Sequence, residues 1–171
     1  SSSIALKKND GLNISVDERL MVYRMMASRH IIFQEVEVIQ DIYVTASMEA
    51  TESLNDTTHA YLNAIKAMAL LQMGEFRQAF EAATVTLSQF QRLGIVGLLG
   101  PLDLYYVIAR CHVEFSNRED AWDAMKKVST LAKSWGQWHY HFVAEGFFAR
   151  ELATAKKFDR AVEHIHRLRN F

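Results

Sequence analysis

The sequence contains few of the residues that sheet-rich, disulfide-linked or membrane-spanning proteins need. It has one cysteine, one proline and seven glycines among 171 residues. So few turn-forming residues argue against an all-β fold. A single cysteine cannot form an internal disulfide, which favours a reducing compartment, and we expect a cytoplasmic protein. No stretch of about 18 apolar residues occurs, so we expect no membrane span.

The chain also lacks an excess of charge of either sign. Its formal net charge is −1, with 23% charged and 50% hydrophobic residues. This balance is typical of a globular domain and lacks the basic excess of a nucleic-acid binder. We expect residues 1–14, which contain no Met or signal sequence, to be a tag remnant or a disordered lead. Residues 15–171 are expected to form a single domain, a fragment of a longer protein.

What the sequence does contain is an internal repeat of about 40 residues. Each copy begins and ends on an alanine and has a turn candidate between them. The starting alanines are Ala67, Ala109 and Ala149, the turn candidates are Gly74, Ser116 and Lys156, and the closing alanines are Ala79, Ala121 and Ala161. Alanines in these places allow two helices to approach closely, so each copy predicts a helical hairpin.

The turns differ in residue type from one copy to the next. Gly74 accepts a left-handed backbone without steric cost. Ser116 and Glu119 have the spacing of a capping box, which predicts that Ser116 begins the following helix. Lys156 is the departure from the pattern, and we expect a looser turn there.

The N-terminal part gives a weaker signal. Ser15 and Glu18 form a second candidate capping box. Residues 31–50 are rich in Ile and Val, which on propensity alone favours a strand. A lone strand in a helical protein leaves its edges unpaired, so we favour helix for 31–50. The predicted fold is therefore all-α, an α-α superhelix of about eight helices in four hairpins.

The pattern Ala67-x-x-Leu70-x-x-x-Gly74-x-Phe76-x-x-Ala79 resembles the core of the tetratricopeptide repeat. Units of about 40 residues are similar to the repeat region of the large LuxR-type, maltose-regulon-activator-like bacterial transcription regulators. The helix ends Gln91-Arg92-Leu93-Gly94 and Ala132-Lys133-Ser134-Trp135-Gly136 are similar to those of that family. The resemblance implies a tetratricopeptide-like superhelix that serves as the sensor or partner-binding segment of a regulator.

In tetratricopeptide-like proteins the first helix of each hairpin lines a concave binding groove. The resemblance therefore places one set of side chains in that groove: Tyr61, Met68, Gln72, Asp103, Tyr106, Arg110, Glu114, Val143, Arg150 and Thr154. Arg110 and Arg150 occupy equivalent repeat positions, and two guanidinium groups suit a carboxylate, a phosphate or an acidic peptide. The alternative is solvated surface charge, with Arg110 paired to Asp103 or Glu114.

Other candidate sites have a simpler structural explanation. His139 with His141, and His164 with His166, are two residues apart, so on a helix the members of each pair point away from each other. We therefore expect no metal and no cofactor. Cys111 lies next to His112, which is poor spacing for a catalytic pair. The aromatic residues Trp135, Trp138, Tyr140, Phe142, Phe147 and Phe148 are expected to lie mostly in the core.

These observations favour a non-catalytic domain, not an enzyme, that binds a protein, a peptide or a small effector in the groove of a transcriptional regulator. The alternative is a general tetratricopeptide-like scaffold that binds a partner unrelated to transcription. A helix-turn-helix encoded downstream in the full-length gene would favour the regulator. We also expect a weak homodimer, because an end hairpin of a repeat array exposes apolar residues.

Overall fold

The computed structural model describes residues 14–96 and 100–169. Across these residues the protein is entirely helical, which confirms the all-α prediction and the number of helices. The helices are α1 (Val16–Ile32), α2 (Val36–Ala50), α3 (Asp56–Gln72), α4 (Phe76–Leu93), α5 (Leu102–Glu114), α6 (Arg118–Ser134), α7 (Trp138–Thr154) and α8 (Phe158–Leu168). The predicted lead falls almost wholly on residues 1–13, outside the described part.

The helices pair into hairpins through one type of three-residue turn. Its middle residue has a positive φ in all four hairpins: 56° at Gln34, 77° at Gly74, 60° at Ser116 and 58° at Lys156. In each turn the next amide donates to a carbonyl five residues earlier, as from Glu75 to Leu70. This hydrogen bond identifies a Schellman motif, which supplies donors to carbonyl groups that would otherwise be unpaired at the C-terminal end of a helix.

Two predictions about these turns were wrong. Lys156 adopts the same tight left-handed turn as Gly74, because the carbonyl of Leu152 accepts the amide hydrogen of Lys157 at 2.8 Å. Ser116 does not cap α6, because it occupies the left-handed position and Asn117 is the N-cap residue, without a side-chain hydrogen bond.

The N-terminal hairpin follows the same plan. Residues 31–50 are helical apart from the turn at 33–35, which confirms the preference for helix over strand. The capping box of Ser15 and Glu18 is also confirmed, with both reciprocal hydrogen bonds present. Ala27 and Gln34 occupy the positions that Ala67 and Gly74 hold in the next unit. Together the four hairpins have a helical-repeat-like character.

Small residues hold the hairpins together. Each helix packs against the next along the chain, and α3 also packs against both α1 and α5. All six repeat alanines are buried, at 0–7% exposure. Burial of these positions explains the spacing of the repeat, because larger side chains would separate the paired helices.

The first helix is also joined to the last hairpin. Helix α1 touches α7, where the Tyr140 hydroxyl donates to the Ser28 carbonyl at 3.0 Å and lies 2.5 Å from the Ser28 hydroxyl. Toward α5, Arg24 forms a buried ion pair with Asp103. Helix α1 therefore contacts the first, inner helix of each of the other three hairpins, which are α3, α5 and α7.

The aromatic cluster of the last two hairpins divides into two groups. Tyr140, Phe147 and Phe148 are buried. The other three are exposed in part: Trp135 by 42%, Trp138 by 60% and Phe142 by 58%. The expectation that most of this cluster is core thus holds for half of it.

Candidate functional site

Arg110 and Arg150 meet in one cavity. Each arginine lies one turn before the end of its helix, α5 for Arg110 and α7 for Arg150. Because the two hairpins repeat, the same register brings both side chains to the same end of the inner helices. The cavity has a volume of about 370 Å³, and its lining residues are Gln34, Arg110, Val113, Glu114, Met125, Val143, Gly146, Phe147 and Arg150.

Aromatic neighbours, not carboxylates, hold the two guanidinium groups. Arg110 Nη1 donates to the Tyr106 hydroxyl at 3.0 Å, and its guanidinium carbon is 5.9 Å from the Tyr106 ring centroid. The guanidinium carbon of Arg150 is 5.9 Å from the Phe147 ring centroid. Within the described part of the chain neither arginine has a carboxylate oxygen within 4.0 Å. Their remaining donors are available to an incoming anion.

The cavity offers more than positive charge. Glu114 lines it, so the lining carries two positive groups and one negative group. Gln34 adds an amide, while Val113, Val143 and Phe147 supply apolar surface. This set suits a ligand with an anionic group for the arginines, a hydrogen-bond donor for Glu114 and an apolar part between them.

Three of the expected groove residues are instead buried in the interior. Met68 and Asp103 are fully buried, and Tyr106 is 1% exposed. Asp103 pairs with Arg24 and not with Arg110 as the alternative interpretation held: Asp103 Oδ1 is 2.7 Å from Arg24 Nη2. The sequence assigned these residues to an open groove, but in the structure Asp103 faces Arg24 of α1 and Tyr106 packs against Tyr140 of α7.

The other three expected residues lie outside the cavity lining. Tyr61 packs edge-on against Phe90, with ring centroids 6.2 Å apart. Gln72 Nε2 donates to the carbonyl of Ile31 at 3.2 Å. The Thr154 hydroxyl donates to the Arg150 carbonyl at 2.9 Å, within its own helix. Of the predicted set, the structure thus brings together Arg110, Glu114, Val143 and Arg150.

A buried polar cluster that we did not predict joins α6, α7 and α8. At its centre is Glu145, whose side chain is 2% exposed and lies 2.5 Å from His164 Nδ1. The Ser129 hydroxyl donates to Glu145 at 3.2 Å and lies 3.4 Å from His141 Nδ1. The sequence signal for this cluster is the i, i+4 spacing of His141 and Glu145, which places both side chains on one face of α7.

The hydrogen bonds and ion pair of this cluster connect three helices. Burial is the main cause that lowers the pKa of His141, against the opposing effect of Glu145, so the neutral imidazole is favoured. The cluster holds α8 against α7 and α6.

The single cysteine and the histidine pairs likewise sit in structural positions. Burial raises the pKa of Cys111 to about 12, so the thiol stays protonated at neutral pH. His141 is buried, whereas its neighbour His139 is half-buried, as expected for residues two apart on a helix. Among the residues that the structure describes, no three His, Cys, Asp or Glu side chains are arranged to hold a metal ion.

No described helix combines the length and apolar character that crossing a bilayer requires. Comparison with protein families, with curated proteins and with solved structures finds no match to this chain.

Proposed function

We propose that this protein is a tetratricopeptide-like repeat module that binds an anionic ligand between Arg110 and Arg150. The proposal rests on one observation: two arginines at equivalent repeat positions line one cavity of about 370 Å³ and lack carboxylate partners within 4.0 Å in the described residues. Surface arginines normally attract nearby carboxylates, so a cavity that leaves two of them unpaired is suited to an external anion.

The wider role that we propose is effector sensing or partner binding within a bacterial transcription regulator of the large LuxR type. Support comes from the repeat of about 40 residues and from the identical left-handed turn in all four hairpins. In a superhelical arrangement the first helices of successive hairpins pack on one another, and here α1 packs on α3 and α3 packs on α5. The competing role is a scaffold that binds an acidic peptide.

Isothermal titration calorimetry with three probes tests the cavity and separates the two roles. The probes are inorganic phosphate, succinate and a short acidic peptide. The Arg110→Glu/Arg150→Glu variant should weaken binding of the favoured probe at least about tenfold, which corresponds to about 1.4 kcal/mol. Preference for phosphate or succinate supports an effector sensor, and preference for the peptide supports the scaffold.

The matched control is Arg77→Glu/Arg92→Glu, which changes the net charge equally at two exposed positions away from the cavity. Binding by this control should equal that of the unchanged protein. Equal weakening in both variants would show that only overall charge matters. If none of the probes binds the unchanged protein at millimolar concentration, the anion-binding proposal fails.

A further inference from the structure

Helix α2 presents an exposed row of side chains with an acidic half and an apolar half. The row, here the α2 stripe, consists of Glu37, Asp41, Val44 and Met48, which follow the i, i+4, i+7, i+11 spacing of one helix face. Val44 is 56% exposed and Met48 is 70% exposed. Every Asp, Glu, Lys or Arg residue from position 35 to position 52 is acidic.

Helix α8 presents a row with the same spacing. This α8 stripe consists of Phe158, Val162, Ile165 and Arg169, in which three apolar residues precede a basic one. The apolar members are exposed by 61%, 49% and 43%, in that order. Lys156, Lys157, Arg160 and Arg167 make the surroundings predominantly basic.

The α8 stripe continues an interface that is already present inside the molecule. One repeat earlier, the positions of Val162 and Ile165 are held by Trp122 and Met125 of α6. Met125 is 1% exposed, and Trp122 packs against Phe148 of the next hairpin, with ring centroids 4.6 Å apart. In α6 this face is covered by the following hairpin, whereas in α8 the same face has no cover in the described structure.

The two stripes match when the helices run antiparallel. Val44 then faces Val162, Met48 faces Phe158, and Glu37 faces Arg169; the fourth pair, Asp41 with Ile165, is a boundary between the charged and the apolar contacts. Both stripes extend over about 16 Å at 1.5 Å per residue. The acidic N-terminal half of α2 lies beside the basic C-terminal end of α8. A parallel alignment would instead place Glu37 on Phe158 and leave both charged ends without partners.

We propose that the α2 stripe of one molecule binds the α8 stripe of a second copy, so that the protein associates head to tail. The two surfaces are different. A dimer joined by one such contact therefore keeps one α2 stripe and one α8 stripe free, and further copies can bind there. Four residues on each side form a small interface, and such interfaces are weak and transient. No residue of either stripe lines the cavity of Arg110 and Arg150.

Complementary blocked variants test the proposal by sedimentation equilibrium. One variant carries Val44→Glu/Met48→Glu, and the other carries Val162→Glu/Ile165→Glu. The unchanged protein should increase in average mass with concentration, up to about 1 mM. Each blocked variant alone should remain a monomer, because one of its two stripes is lost. An equimolar mixture should form a one-to-one dimer through the two intact stripes, and circular dichroism should show unchanged helix content.

A charge exchange provides a second measurement at the same interface. Glu37→Arg or Arg169→Glu alone should weaken association at least about threefold, and the double variant should restore it, because the pair is re-formed with reversed charges. A control exchange at Glu81 and Arg92 should leave association unchanged.

Each of several results would overturn the proposal. One is that the unchanged protein stays a monomer at every concentration, which would mean that the two stripes do not bind each other. Another is a mixture of blocked variants that stays monomeric. A blocked variant that still dimerises alone would show that association uses a two-fold contact or a different surface.

Discussion

Arg24 carries the largest set of polar and aromatic contacts of any side chain buried in α1. Its guanidinium forms two hydrogen bonds with Asp103, at 2.8 Å and 2.7 Å, and donates to the Gly100 carbonyl. It also lies over the Phe90 ring, with its central carbon 4.6 Å from the centroid. Both charged side chains are almost fully buried. Each charge is therefore tolerated only because the other is present.

Replacement of Arg24 by Met should lower the free energy of unfolding by about 3–5 kcal/mol, because the carboxylate of Asp103 is then buried without a partner. Urea unfolding followed by circular dichroism measures this loss. Arg24→Met/Asp103→Asn should recover part of it, since the unpaired charge is removed. Arg29→Met is the control, an exposed arginine of the same helix. Equal losses for Arg24→Met and Arg29→Met would contradict the assignment.

At this scale the sequence predicts some partners and conceals others. The meeting of Arg110 and Arg150 follows from the repeat alignment, because equivalent positions in successive hairpins share one orientation. The pairing of Arg24 with Asp103 could not be predicted, because no periodic pattern links residues so far apart in the chain. For the same reason Asp103 was assigned to the groove.

At the scale of elements, one type of left-handed turn ends the first helix of every hairpin and also joins α6 to α7 at Gly136. Its middle residue is left-handed even where it carries a side chain, as at Gln34, Ser116 and Lys156. The left-handed region is unfavourable for residues other than glycine, by about 1–2 kcal/mol. Helix packing on both sides of the turn compensates for that strain.

Lys156→Gly should therefore raise the free energy of unfolding by about 0.5–1 kcal/mol, since glycine relieves the strain but increases the entropy of the unfolded chain. Thermal unfolding with Lys157→Gly as the neighbouring control measures the difference. Lys157 has a φ of −94°, so glycine there should give no gain. A loss of stability in Lys156→Gly would show that the turn imposes no strain on lysine.

Most elements are predictable from hydrophobic periodicity and the spacing of alanines, which together locate α3 to α8. The N-terminal hairpin shows where this method fails. The helix predicted for 31–50 begins before the turn at 33–35, because Gln34 gives no turn signal and Ile39 stands where the other units have their closing alanine. The same Schellman hydrogen bonds form there because backbone geometry, not residue type, decides them.

At the scale of the whole molecule, the contact between α1 and α7 joins the first hairpin to the last. Burial raises the pKa of Tyr140 well above its usual value, so its hydroxyl remains a donor to Ser28. The Tyr140 ring also packs edge-on against Tyr106, at 5.4 Å between centroids. The sequence predicts inner helices that line a groove. It does not predict that α1 touches α7, where Tyr140 hydrogen-bonds to Ser28.

Tyr140→Phe should lower the free energy of unfolding by about 1–3 kcal/mol, because the buried polar groups of Ser28 lose their partner. Hydrogen exchange should show faster exchange for amides of α1 than in the unchanged protein. Tyr105→Phe is the control, because in the described structure the Tyr105 hydroxyl makes no hydrogen bond, while its ring packs against the core and lies 5.0 Å from Lys127 Nζ. Unchanged exchange in α1 would show that the Tyr140 contact does not secure this helix.

The enclosure of α1 has a consequence for how the protein is made. Ser28 leaves the ribosome 112 residues before its partner Tyr140. At a synthesis rate of about 5–20 residues per second, that interval is about 6–22 s. During this time the part of α1 around Ser28 lacks its α7 partner, although α2 and α3 already cover other parts of the helix. A nascent chain of this protein therefore exposes this contact surface of α1 to chaperones until the segment that contains Tyr140 has been made.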